Sequence, residues 1–155
     1  MALSGIIGDK RLFINTEIKE KCLDVMRDKL KEGGVQVEAI DLVLLGIAVL
    51  AKEDSNGIMP QDCRNIGNNN SDKTMIISLN RLSDEQLAAL FALAITKLGS
   101  ANVIKDVGGA VELWQKLGED GLKKLYCQYF LDFGSSNPDI LGFFDNIFYL
   151  LRNSE

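Results

Sequence analysis

The chain has 155 residues, of which 46% are hydrophobic and 25% charged, with a formal net charge of -5. This length predicts one domain, residues 1–155, that is long enough to bury a real core. The acidic balance argues against nucleic acid and anionic membranes as partners, because both require basic patches. Histidine is absent, which removes the commonest general base and metal ligand and excludes a histidine-activated nucleophile within the chain.

The three cysteines, Cys22, Cys63 and Cys127, are odd in number and widely spaced. This pattern is not typical of a disulfide framework, and it lacks the C-x-x-C spacing of a zinc site. The first residues do not resemble a secretory signal, and the longest apolar run, 42–51, is far short of the ~20 residues that cross a bilayer. We therefore expect a cytoplasmic protein with no membrane partner and no metal or other cofactor.

Two helices are predicted in the first third of the chain, after a segment, 1–14, to which we assign no element. The first helix covers Glu17–Lys31, where apolar residues recur at helical spacing. Either Asn15 or Thr16 can cap its start, and Gly33 follows it as a stop signal. The second covers Val37–Lys52 and is apolar on all sides in its second half. It contains Gly46, which has no Cβ and so permits another backbone to approach closely.

A long polar segment, 54–81, separates these helices from the next one. It is rich in Asn, Asp, Ser and Gly, and it is predicted to be an irregular loop within the domain. Only Thr74–Leu79 has the β-branched character of a short strand. Because a loop this long is uncommon inside a compact domain, we expect it to be either functional or disordered.

The helix at 83–98 has the most distinct sequence signals in the chain. Ser83 and Gln86 are spaced as a capping box, and Gly99 is placed to end the helix in a left-handed conformation. Nine consecutive residues, 87–95, lack a polar side chain, so we expect this helix to be buried on every side. We further expect it to pack against the 38–52 helix as the central pair of the fold.

The remaining sequence predicts more helices, separated by turns at Gly108-Gly109, at 118–121 and at 134–136. The last two helices, 122–133 and 138–152, are expected to form a hairpin, and Asn137 with Pro138 marks the start of the second. The fold class that follows is all-α, a bundle of about six helices around the central pair, with one polar loop that holds a short strand.

Several site motifs fail when they are examined residue by residue. A calcium loop aligned on Gly57 places Lys52 and Cys63 where carboxylates are required. Gly108-Gly109 resembles the turn of a DNA-binding helical hairpin, but acidic residues flank it. Two carboxylate pairs, Asp62 with Asp72 and Glu112 with Glu119, remain as candidate acids and bases, although surface acids are commoner. A weaker nucleic-acid hypothesis uses the basic residues Lys116, Lys123 and Lys124.

Aromatic residues are concentrated near the C-terminus, where nine of the eleven lie between Trp114 and Tyr149. They either complete the core or form a binding surface, since aromatic side chains dominate both. The last predicted helix is apolar over most of its circumference. Its apolar surface is larger than one face buried against the core would need. We therefore predict a partner or self-association surface that includes Trp114, Phe143, Phe148 and Tyr149.

These observations favour a non-enzymatic cytosolic protein-binding module, such as an adaptor, an inhibitor or an oligomerising subunit. Its partner is expected to be another protein or a second copy of the chain, with no nucleic acid. The alternative hypothesis is an enzyme that uses carboxylates or a bound cofactor in a cleft under the 54–81 loop.

Overall fold

The computed structural model describes residues 3–52, 65–68, 71–99, 105 and 107–130, with only the backbone at 51–52 and 128–130. The described chain is mostly helical and contains one small antiparallel sheet. Its elements in chain order are α1 (Leu3–Ile7), β1 (Arg11–Asn15), α2 (Thr16–Ile18), a π-helical turn (Lys19–Leu23), α3 (Asp24–Glu32), α4 (Ala39–Lys52), β2 (Lys73–Ser78), a 3-10 turn (Leu79–Arg81), α5 (Asp84–Leu98), α6 (Val107–Lys124) and a second π-helical segment (Leu125–Phe130).

The sheet corrects the all-α prediction. β2 confirms the strand predicted at 74–79, but its partner β1 lies in the N-terminal segment to which no element was assigned. The two strands pair with Leu12 opposite Ile77 and Asn15 opposite Lys73, and the register shifts between Leu12 and Phe13. The N-terminal strand was missed because five residues are too few for period-2 alternation to be distinguished from a buried helical turn.

The outer edge of β1 is closed by side chains of α6 rather than by a third strand. The N–H of Phe13 donates to Gln115 Oε1 at 3.0 Å, and the N–H of Asn15 donates to Glu119 Oε2 at 2.7 Å. Gln115 and Glu119 are four residues apart, so they lie on one face of the helix and match alternate residues of the strand. Two backbone donors that a strand edge leaves unpaired are thereby satisfied.

The first long predicted helix, Glu17–Lys31, is confirmed with a change of geometry in its middle. Asn15 accepts a hydrogen bond from the N–H of Ile18 at 3.2 Å, as its predicted capping role requires. The helix is α-helical at both ends, in α2 and α3, and these two segments are joined by the π-helical turn. It ends at Gly33, and Gly34 follows with a φ of 87°.

Among the described helices, the most extensive contact joins α4 and α6, which corrects the predicted central pair. A Cβ built on Gly46 would lie 2.9 Å from the carbonyl carbon of Gly121, and one built on Gly121 would overlap the Gly46 carbonyl group. Gly46 does allow a close backbone approach, as predicted, but its partner helix is α6. α5 is separated from α4 by a groove instead of packing closely against it.

Helix α6 also corrects the turns predicted at Gly108-Gly109 and at 118–121, because it runs without a break through both. Gly118 and Gly121 lie in the helix with the space beside them occupied. A Cβ on Gly118 would lie 3.0 Å from Val43 Cγ1 and 3.2 Å from Ile14 Cδ1. The contact with α4 and β1 therefore overrides the low helix propensity of glycine.

The predicted signals of α5 are confirmed at both ends, but its predicted burial is wrong. Ser83 and Gln86 form the capping box, and Gly99 is left-handed with a φ of 70°. One side of the helix is buried and contributes Leu87, Leu90, Phe91 and Ala94 to the core. The other side exposes three alanines, Ala88, Ala89 and Ala92. The error arose because alanine counts as apolar in a sequence pattern but needs little burial.

Replacement of either crossing glycine by alanine is expected to destabilise the fold severely. Gly46→Ala and Gly121→Ala each place a methyl group against backbone atoms, which cannot move aside as a side chain can, so we expect a loss of about 3 kcal/mol or more. The measurement is the free energy of unfolding in urea. Gly5→Ala in α1 is the matched control, because nothing lies within 4 Å of its added Cβ. Equal unfolding midpoints for all three variants would contradict the α4–α6 crossing.

Candidate functional site

Trp114, one of the residues predicted to bind a partner, lies fully inside the core. Its Nε1–H donates to the carbonyl oxygen of Leu90 at 2.9 Å, and its ring meets that of Phe91 edge to face at a centroid distance of 5.1 Å. Trp114 therefore completes the core, which was the alternative to a binding surface for the aromatic residues. The other three predicted residues, Phe143, Phe148 and Tyr149, lie outside the described residues.

The candidate acids have different environments. Asp62 lies outside the described residues, while Asp72 and Glu112 are exposed. Glu119 holds two elements together, since its Oε2 accepts from the N–H of Asn15 and from Lys73 Nζ at 2.6 Å. Glu119 is therefore part of the attachment of α6 to the sheet, which accounts for its side chain without a catalytic role.

The basic residues of the nucleic-acid hypothesis do not form a common surface patch. Lys123 and Lys124 are only 9% and 5% exposed, and Lys116 pairs with Asp120 at 3.3 Å. The turn at Gly108-Gly109 that suggested a DNA-binding hairpin is part of a continuous helix. The two separate features that suggested nucleic-acid binding, the basic patch and the glycine turn, are therefore both contradicted.

A charged cleft of about 610 Å³ lies between the end of α3 and the start of α4. Its lining residues are Asp24, Arg27, Asp28, Lys31, Val35, Gln36, Val37, Glu38 and Asp41. Several of these groups already hold the local structure. Arg27 Nε donates to the carbonyl oxygen of Val37 at 3.2 Å, Asp41 accepts from the N–H of Glu38 at 3.0 Å, and Asp24 pairs with Lys19 at 2.9 Å. Their arrangement is accounted for by the connection between α3 and α4.

The second cavity, an apolar groove of about 350 Å³, lies between α4 and α5. We call it the α4–α5 groove, and its lining residues are Leu44, Ile47, Ala48, Gln86, Ala89, Leu90 and Leu93. Ile47 and Leu90 are buried, Leu44, Ala48 and Leu93 are half-buried, and Ala89 is exposed. Gln86 is the one polar residue among them, and its side chain accepts the capping hydrogen bond from the N–H of Ser83.

One small residue of α5, Ala89, lies among the larger residues that line the groove. Alanine at 89 leaves space where a larger side chain would close the gap, while Leu90 and Leu93 supply apolar walls. The sequence carries this signal as Ala89, but the apolar run 87–95 that contains it predicts a helix buried on all sides. An apolar, partly open concavity of this size fits apolar side chains better than a polar substrate.

The cysteines also depart from their predicted state. Cys127 is disulfide-bonded, and its partner lies outside the described residues. The odd count and wide spacing did not indicate this bond, because proximity in the fold and not in the sequence decides it. Cys22 is free and fully buried. Burial raises the pKa of the Cys22 thiol to about 12, which makes it unreactive.

Searches for metal sites, membrane spans and related proteins add no site. Among the described residues, no three Cys, Asp or Glu side chains are grouped so that they could hold a metal ion. Across the part of the chain that is described, no helix combines the length and apolar character needed to span a bilayer. Comparisons with protein-family models, curated proteins and solved structures find no match to this chain.

At Glu119, removal of the hydrogen-bond acceptor is expected to lower the stability of the fold more than removal of the charge alone. Glu119→Leu removes the side-chain acceptor of the part-buried Asn15 N–H and should lower the free energy of unfolding by about 2 kcal/mol. Glu119→Gln keeps an oxygen acceptor and loses only the ion pair to the half-exposed Lys73, which should cost less than about 1 kcal/mol. Equal losses in urea unfolding would show that the ion pair dominates and would contradict this assignment.

Thiol titration tests the state of the cysteines. In the native protein at pH 8 we expect no rapid reaction with an aromatic disulfide reagent, because Cys22 is buried and its raised pKa keeps the thiolate scarce. After unfolding without reductant, one of the three thiols should react, since the disulfide at Cys127 occupies two. Prior reduction should give all three. Three thiols without reduction would contradict the disulfide.

Proposed function

We propose that this protein is a non-enzymatic protein-binding module, acting as an adaptor, an inhibitor or an oligomerising subunit. The observation that supports this proposal is the α4–α5 groove, with half-buried Leu44 and Leu93 on its walls and exposed Ala89 at its edge. Apolar concave surfaces between helices are a common way to receive the apolar face of another helix. The enzyme alternative gains no comparable support, since Glu119 has a structural role.

The predicted binding surface remains the C-terminal one that includes Phe143, Phe148 and Tyr149. Trp114 is no longer part of it, because a side chain with no accessible area cannot contact a partner. The partner class is unchanged, another protein or a second copy of this chain. Aromatic side chains supply much of the binding energy in such interfaces.

The disulfide at Cys127 argues against a cytoplasmic location, which is one part of the proposal. Disulfides persist in oxidising compartments and are reduced in most cytosols. The location can be tested when source cells are lysed in denaturant that contains an alkylating reagent and the alkylated cysteines are counted by mass spectrometry. One alkylated cysteine would place the protein in an oxidising compartment, and three would support the cytoplasm.

The test of the binding surface is Phe148→Glu, measured by sedimentation velocity and by calorimetry of the full chain. A charge at the interface should give a smaller particle at the same protein concentration with an unchanged melting temperature. Asn146→Glu is the matched control, because it adds the same charge two residues away at a position that is already polar. Its particle size should equal that of the unmodified protein.

Two results would contradict the proposal. Loss of folding in Phe148→Glu would assign Phe148 to the core, as in the alternative interpretation of the aromatic residues. No change in particle size or melting temperature would remove Phe148 from any interface.

A further inference from the structure

We infer that Cys63 is the disulfide partner of Cys127, and that their bond is a reducible staple between the turn at 65–68 and the end of α6. The chain has three cysteines, of which Cys127 is disulfide-bonded and Cys22 is free. Cys63 is therefore the one cysteine left to complete the bond within the chain. This inference does not rest on the proposed function, since it involves neither the α4–α5 groove nor the C-terminal surface.

The turn at 65–68 lies against the start of α2. Asn15 Nδ2 donates to the carbonyl oxygen of Gly67 at 3.3 Å. A Cβ built on Gly67, which has a φ of 87°, would lie 3.1 Å from Ile18 Cδ1. Cys63 comes two residues before this turn. Because successive Cα atoms are ~3.8 Å apart, Cys63 lies within ~8 Å of the turn.

The end of α6 reaches the same region, since α6 contacts α2. A hydrogen bond from Lys21 is the main cause that lowers the pKa of the Glu17 carboxylate. The Gly67 N–H and the charge of Lys123 lower this pKa further, so the turn and the end of α6 both lie near Glu17. Cys127 follows Lys123 by four residues, which is about one helical turn. A disulfide joins Cα atoms about 4–7 Å apart, and two cysteines this close to one region suit that span.

The bond acts on the fold both globally and locally. It closes a loop of about 65 residues that contains β2, α5 and most of α6, and such a loop restricts the unfolded chain. Within the turn, Asn65 and Asn68 are exposed, while Ile66 and Gly67 are half-buried. Reduction should therefore release the turn and the end of α6. The α4–α6 crossing should remain, because glycines elsewhere on the two helices make it.

Opening of the staple is a two-electron exchange with a dithiol reductant. The two thiols of the reductant lose two electrons and two protons and form a disulfide, while Cys63 and Cys127 gain them and become thiols. Cys22 takes no part, because burial raises the pKa of its thiol to about 12 and leaves almost no thiolate to attack the bond. The redox state of the surroundings therefore sets how firmly the turn and the end of α6 are held.

Peptide mapping of the full chain tests the pairing. The protein is alkylated in denaturant at mildly acidic pH, which blocks thiol exchange, and is then digested with trypsin. Lysines and arginines place each cysteine in a separate tryptic peptide, 22–27, 53–64 or 125–152. We expect 53–64 joined to 125–152, and the two separate after reduction with dithiothreitol. Peptide 22–27 should be alkylated in both samples.

Three mapping results would overturn the pairing. Peptide 22–27 joined to 125–152 would assign the bond to Cys22. Two copies of 125–152 joined to each other would place the bond between chains. The absence of any joined peptide would remove the bond.

Calorimetry and limited tryptic digestion, each with and without dithiothreitol, test the staple. We expect the reductant to lower the Tm by about 10 °C, because the loop closed by the bond is long. Cleavage after Arg64, next to Cys63, should become several-fold faster. Cleavage after Lys31, in the last turn of α3, should keep its rate. The unmodified chain is used for both measurements, so the test does not depend on the folding of a variant.

Two variants serve as controls for the reductant. Cys63→Ser should show the lower Tm and the faster cleavage with or without dithiothreitol, since it cannot form the bond. Cys22→Ala keeps the bond, so its Tm should still fall when dithiothreitol is added. An equal Tm in the oxidised and reduced chains, or an unchanged rate of cleavage after Arg64, would overturn the staple.

Discussion

The fold depends on the close crossing of α4 and α6 at Gly46 and Gly121. Side chains normally hold helix axes 8–10 Å apart, and two facing glycines remove that spacer. Backbone atoms then meet directly, which increases dispersion contacts but tolerates no added atom. This contact lets α6 lie closely against α4, and the other described neighbours of α6 are held by separate contacts along the same helix.

Helix α6 connects the parts of the described structure through three different kinds of contact. Trp114 packs and hydrogen-bonds against α5, Gly121 meets α4, and Gln115 with Glu119 closes the edge of β1. Gln115 and Glu119 lie on one face of the helix, while Trp114 and Gly121 lie about two turns apart on a neighbouring face, so one helix contacts three neighbours. The sheet consequently needs only two strands, because a helix supplies the acceptors that a third strand would offer.

The α4–α5 groove is a consequence of the same arrangement. Because α4 makes its closest contact with α6, it does not also pack closely against α5. On the α5 side, Ala89 is too small to fill the space, and Leu44 and Leu93 stay half-buried. Apolar area left in contact with water is a source of binding free energy, whether a segment of the same chain or another molecule removes it.

Local signals determined many elements directly from the sequence. The capping box at Ser83 and Gln86, the left-handed Gly99, the Asn15 cap and the strand at 73–78 depend on residues within a few positions of one another. Such short-range hydrogen bonds and backbone preferences are encoded locally, so the sequence alone predicts them. The close backbone approach at Gly46 was also predicted, since only glycine permits it.

Only the tertiary structure decided which helix meets Gly46, that Gly108-Gly109 and 118–121 stay helical, that β1 forms, and that Cys127 is disulfide-bonded. Each of these depends on residues far apart in the sequence. Glycine has a poor helix propensity by itself, and packing against a second backbone offsets that cost in α6. The groove could not be predicted either, because it also depends on distant residues. A sequence pattern records that Ala89 is apolar but not whether a neighbour covers it.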